Sequence, residues 1–113
     1  MGAVTAMFYT YSDARISAVC YDSAFSDFLK LAKELCKNHI SLPNFVIDTA
    51  IKILRNTILG KNNLDIYKLL PINFSGLTTT PGFFIHAVND ELISIEHSIN
   101  LFKAYKGKLF LII

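Results

Sequence analysis

Short apolar runs that alternate with segments of helical period are what most constrain this chain. Residues 16–21, 82–87 and 109–113 are mostly apolar, too short for typical helices, and flanked by polar residues or glycine. Such runs fit strands of a parallel sheet, with both faces covered. Helical periods lie between them. Phe28, Leu31, Ala32 and Leu35 recur at i, i+3, i+4 and i+7, behind a cap expected at Ser26. Ile47, Ala50, Ile51, Leu54 and Ile58 form a second stripe, with Pro43 suited to the first turn and Gly60 expected as the left-handed stop. Residues 1–11 read as an apolar helix. Residues 94–106 read as another, with Ile95, Ile99, Phe102 and Ala104 or Tyr105 as its buried side and Gly107 as its stop. Residues 64–70 suit one or two helical turns, and 71–81 read as a loop. The order helix, strand, helices, strand, helix, strand predicts a parallel sheet with helical crossovers, an α/β fold.

Composition narrows the function. A chain of 113 residues fits one domain. With 52% hydrophobic residues it has ample material to repay its ordering entropy, which excludes disorder. Eleven basic residues against nine acidic give a net charge of +2. Spread over the whole chain, that is no field for a nucleic acid, so none is expected as a partner. Cys20 and Cys36 supply neither a disulfide scaffold nor a zinc site, and a reduced, cytoplasmic setting is expected. No apolar run reaches about 18 residues, and no basic segment leads the apolar start, so no stable membrane anchor is expected. Residue 6 is Ala where a myristoylation site wants Ser or Thr. There is no Gly-x-Gly-x-x-Gly and no P-loop lysine, which argues against a nucleotide-binding domain.

Ligands of open α/β sheets bind beyond the carboxyl ends of the strands. Asp22 and Asp90 stand at two such places. There the sequence resembles a known family. Residues 81–94, Pro-Gly-Phe-Phe-Ile-His-Ala-Val-Asn-Asp-Glu-Leu-Ile-Ser, look like the α/β-hydrolase segment that carries the acidic member of the catalytic triad. Residues 22–27, Asp-Ser-Ala-Phe-Ser-Asp, resemble the Asp-Ser-Pro-Phe-Ser element after the preceding core strand. The likeness is to the prolyl-oligopeptidase-like and serine aminopeptidase-like branch. Ala87 stands where Gly is usual, and Ala24 where Pro is common.

The resemblance implies a serine hydrolase acting on esters, thioesters or peptides by acyl transfer, with no cofactor and no metal. It implies a C-terminal-half fragment, running over residues 1–113 from the elbow helix to the last core strand. The sheet would then be a three-stranded, parallel portion of an α/β-hydrolase sheet. Asp90 becomes the triad acid. Residues 1–6 match the stretch just after the nucleophile of Gly-x-Ser-x-Gly, so Met1 becomes the residue whose N–H helps form the oxyanion hole. The nucleophilic Ser is expected before residue 1 and the base His after the last strand. Residues 38–70 are expected to form a cap-like helical segment. The first strand is expected to expose an edge through which copies self-associate. The alternative is a non-catalytic, degenerate hydrolase serving as a binding or scaffold module.

Other polar residues have plainer readings. Asp22 is expected as a cap, His86 as a packed structural histidine, His97 as a water-facing helix residue, and His39 as part of a connection. Ser23 and Ser94 lack an elbow context. Cys20 is expected to be buried and inert, and Cys36 to lie near Lys33 and Lys37. Those two and Lys30 read as a solvated helix face.

Overall fold

The structure is a computed structural model that describes residues 1–39 and 41–112, the last three as backbone. Its elements in chain order are helix α1 (Gly2–Ser12), strand β1 (Val19–Asp22), helices α2 (Phe28–His39) and α3 (Asn44–Asn62), and a 3-10 turn (Ile66–Lys68). Helix α4 (Pro71–Ser75), strand β2 (Gly82–Ile85), helix α5 (Ile95–Ala104) and strand β3 (Leu109–Ile112) follow. The class is α/β, with parallel pairing. Tyr21 of β1 is in register with Phe84 of β2, and Phe84 with Leu111 of β3. The expected last strand residue, Ile113, lies outside the described residues, as does Ile40. The chain forms two compact units. Residues 1–26 and the chain from Leu70 onward make one, and Asp27–Leu69 the other.

The first unit holds the sheet. Tyr21 and Phe84 are buried side by side, with ring centroids 4.9 Å apart. Tyr105 packs edge-on against Phe84 at 5.4 Å, and its hydroxyl donates to Thr80 O at 2.6 Å. Rings of this size dominate a small core, provided their polar tips find partners. Helix α1 packs on β1 and on α4, where Phe8 meets Phe74 edge-on at 4.6 Å.

Several elements depart from the sequence reading. The first strand begins at Val19 rather than at Ile16. Cys20, expected buried, is exposed. Strand geometry turns successive side chains to opposite faces, so burying Tyr21 sends Cys20 the other way. Segment 71–81 is not all loop. Pro71 starts α4 at a position where its missing N–H goes unused, and Ser75 Oγ donates to Leu101 O at 2.7 Å. Gly107 does not stop α5 through a left-handed conformation, because no glycine has positive φ among the described residues. Its role is close approach: a Cβ there would run into the carbonyl oxygen of Thr80. The buried face of α5 is His97, Ser98 and Leu101, followed by Tyr105, rather than Ile95, Ile99 and Phe102.

The second unit is helical. Asp27, not Ser26, caps α2 by accepting from the N–H groups of Leu29 and Lys30 at 2.9 and 3.2 Å. Helix α3 passes through Gly60, and Asn63 takes the left-handed end position at φ 53°, with its N–H on Leu59 O. Pro43 is the residue before α3 rather than in its first turn. Ile47 and Ile51 are buried, whereas Ala50 and Leu54, expected beside them, are exposed. Arg55 holds Asp65 through two 2.8 Å bonds and lies 4.3 Å over the Tyr67 ring. That guanidinium drives the Asp65 carboxyl down to about 2. Lys33 pairs with Asp48 of α3 at 3.5 Å.

Candidate functional site

Beyond the carboxyl ends of β1 and β2, two loops and the start of α5 meet. His86 organises the meeting point. It is buried, with Nε2 2.8 Å from Ile93 O and Nδ1 2.6 Å from Ser98 Oγ. A carbonyl oxygen only accepts, so Nε2 carries a proton and donates it to Ile93 O, while Nδ1 and the Ser98 hydroxyl share the second bond. Ser98 Oγ also lies 3.4 Å from Ala24 O, in the segment after β1. His86 is thus the packed histidine read from the sequence, and it ties the loop after β2 to α5.

That loop fixes Asp90. Its Oδ1 accepts from the N–H groups of Leu92 and Ile93, both at 2.9 Å. Its own N–H donates to Ala87 O at 3.3 Å. The Ile93 N–H does most to hold its carboxyl below the usual range; the Leu92 N–H and His86 add to this, and partial burial opposes. Oδ2 lies 3.6 Å from His86 Nε2. With Oδ1 committed to the turn, Oδ2 is the oxygen left to accept from an incoming N–H. Asp90 is therefore an ionised carboxylate of fixed orientation at a strand's carboxyl end.

Neighbouring residues have other tasks. Ser94 caps α5, its Oγ accepting from Glu96 N–H at 3.4 Å. His97 does not face water. It is fully buried, and its Nδ1 accepts from Ser26 N–H at 3.1 Å, with Ser26 Oγ at 2.9 Å. The sequence reading missed this pairing across the fold. The one local signal was that the spacing His97, Leu101, Tyr105 is itself helical. Asp22 is exposed at the end of β1 and accepts from Ser23 Oγ at 3.0 Å. Ser23 adopts φ 53°, a left-handed conformation that costs a non-glycine residue of order 1 kcal/mol. Its N–H is held by Ile85 O at 2.9 Å, which keeps the turn in place. No imidazole is among its hydrogen-bond partners in the described residues.

Met1 precedes α1 and is exposed; its carbonyl oxygen accepts from Thr5 N–H at 3.0 Å. His39 ends α2 and is exposed, and Cys36 is half-buried on the same helix. Among the described residues no three His, Cys, Asp or Glu side chains gather where they could hold a metal ion. No helix among them is long and apolar enough to cross a membrane.

No protein-family model matches the sequence, and no curated protein matches it either. Solved structures do match. The chain is similar in fold to an esterase of Pyrococcus furiosus. The TM-score is 0.60 at 16% identity, over 96% of this chain. The match spans 40% of the esterase's length. At that identity the likeness is one of fold.

Proposed function

We propose that this chain is the C-terminal part of an α/β-hydrolase domain whose chemistry is serine-dependent acyl transfer, with Asp90 as the triad acid. The observation that carries the reading is the Asp90 carboxylate. It is ionised, oriented by two backbone N–H bonds, and placed at a strand's carboxyl end in a fold similar to an esterase's. In such an array the acid accepts from Nδ1–H of the base histidine, fixes its tautomer and stabilises the imidazolium. The histidine removes the proton of the nucleophilic serine, and the oxyanion hole receives the developing charge. On this reading Met1 N–H belongs to that hole, and residues 38–70 form a cap-like helical segment. The serine and the base histidine come from polypeptide outside these residues, so the chain by itself is inactive.

The flanking reading frame and a fluorophosphonate probe test this together. The expected result is a Gly-x-Ser codon run upstream, a histidine downstream, and a longer protein that the probe labels. In that protein Asp90→Asn is expected to slow turnover by about 10⁴-fold. Covalent labelling of the 113-residue chain alone would overturn the assignment of the nucleophile. Full activity of Asp90→Asn in the longer protein would overturn the assignment of the acid. Stop codons at both ends with stable expression would favour a binding or scaffold module.

A further inference from the structure

Helix α3 carries two apolar faces, and among the described residues only one is covered. Ile47 and Ile51 fill the covered one. Phe45, Thr49 and Ile53 recur at i, i+4 and i+8 along the other, with Val46 and Ala50 beside them. These side chains form one open apolar patch. Phe45 is 72% exposed and Ile53 62%, which is unusual for large apolar side chains grouped on one surface. The helical period puts Lys52 at one margin of this face and Lys61 at the other, both exposed.

The unit Asp27–Leu69 holds seven basic residues against four acidic, a net +3. The remainder of the chain holds four against five, a net −1. The overall +2 is therefore concentrated on the unit that bears the open face. Exposed apolar side chains elsewhere, such as Tyr9, Leu77 and Leu92, sit in the acidic unit. A second copy seated on α3 would set one positive unit against another. Acidic lipid headgroups would neutralise it.

We propose that α3 lies on an anionic lipid surface, with Phe45 and Ile53 below the headgroups and Lys52 and Lys61 at the level of the phosphates. An apolar helix face edged by lysines suits the interface plane, because lysine stems lie along apolar surface while their ammonium groups reach the phosphates. This is reversible adsorption and needs no membrane-spanning segment. It is independent of the role given to Asp90.

Co-sedimentation of the full chain with lipid vesicles tests it. One vesicle set is phosphatidylcholine alone, and the other contains phosphatidylserine as well. The expected result is binding to the phosphatidylserine vesicles that weakens as salt rises. F45S/I53S is expected to weaken it by about tenfold or more. K52E/K61E is expected to weaken it on the anionic vesicles alone. Circular dichroism of the variants, all at exposed positions, checks that they keep the fold. Absence of binding, equal binding to both vesicle sets, or binding that survives F45S/I53S would overturn the proposal. Self-association that F45S/I53S abolishes, without vesicle binding, would assign the face to a second copy instead.

Discussion

At the scale of single residues, Asp90 and Gly107 show how much one atom's position decides. Asp90 Oδ1 closes the turn after β2, and an amide oxygen serves that purpose equally well. Asp90→Asn is therefore expected to leave stability within about 0.5 kcal/mol of the parent. Asp90→Ala removes the acceptor of two N–H groups and is expected to cost about 1–2 kcal/mol. Urea unfolding midpoints of the two variants separate the structural role of this side chain from any catalytic one. At Gly107 the constraint is backbone against backbone, since a Cβ would meet the carbonyl oxygens of Thr80 and Thr79. Gly107→Ala is expected to cost about 1–3 kcal/mol, read as a lower melting temperature. The turn at Asp90 was legible in the sequence because an apolar run and a polar stretch meet there, whereas the triad role proposed for it came from the family resemblance. The role of Gly107 was not legible, because its neighbours are contributed by a segment more than 25 residues away.

Among elements, helix α3 illustrates a local rule that was correct in chemistry and misplaced in sequence. A residue in the left-handed conformation does end it, but Asn63 fills that position and Gly60 stays inside the helix. A Cβ at Gly60 would have no neighbour within 4 Å. Gly60→Ala is thus expected to stabilise the chain by about 0.5–1 kcal/mol, opposite in sign to Gly107→Ala. Thermal unfolding of both variants checks the contrast. The end of α3 is further pinned by Arg55 and Asp65. The Asp65 pKa is lowered on folding, from an ordinary 3.8 to about 2, so unfolding takes up a proton at low pH. The stability it confers is complete above about pH 4 and is lost as pH falls through about 2. Between pH 4 and 2.5 the parent is expected to lose more stability than Asp65→Asn, measured by urea midpoints. Helix α5 went wrong in phase. Polarity along the sequence points to Ile95, Ile99 and Phe102 as the buried stripe, but tertiary hydrogen bonds make His97 and Ser98 the buried pair.

For the whole molecule, the sheet's first strand is the feature with a consequence. β1 pairs with β2 along one side and forms an edge of the sheet. Unpaired N–H and C=O groups along such an edge template further strands. We expect the isolated chain to self-associate as concentration rises, in a manner that F45S/I53S does not change. Sedimentation velocity checks this, and a monodisperse monomer at high concentration would contradict it. The sequence by itself determined the α/β class, the order of elements and the turn bearing Asp90. Those follow from periodicity, turn chemistry and local charge, which act between near neighbours. Tertiary structure alone decided which face of β1 is buried, that His97 is internal, and that residues 71–75 coil into a helix. Each of these depends on partners distant in sequence, and the free energy of burying or pairing a group is set by what it meets in space rather than along the chain.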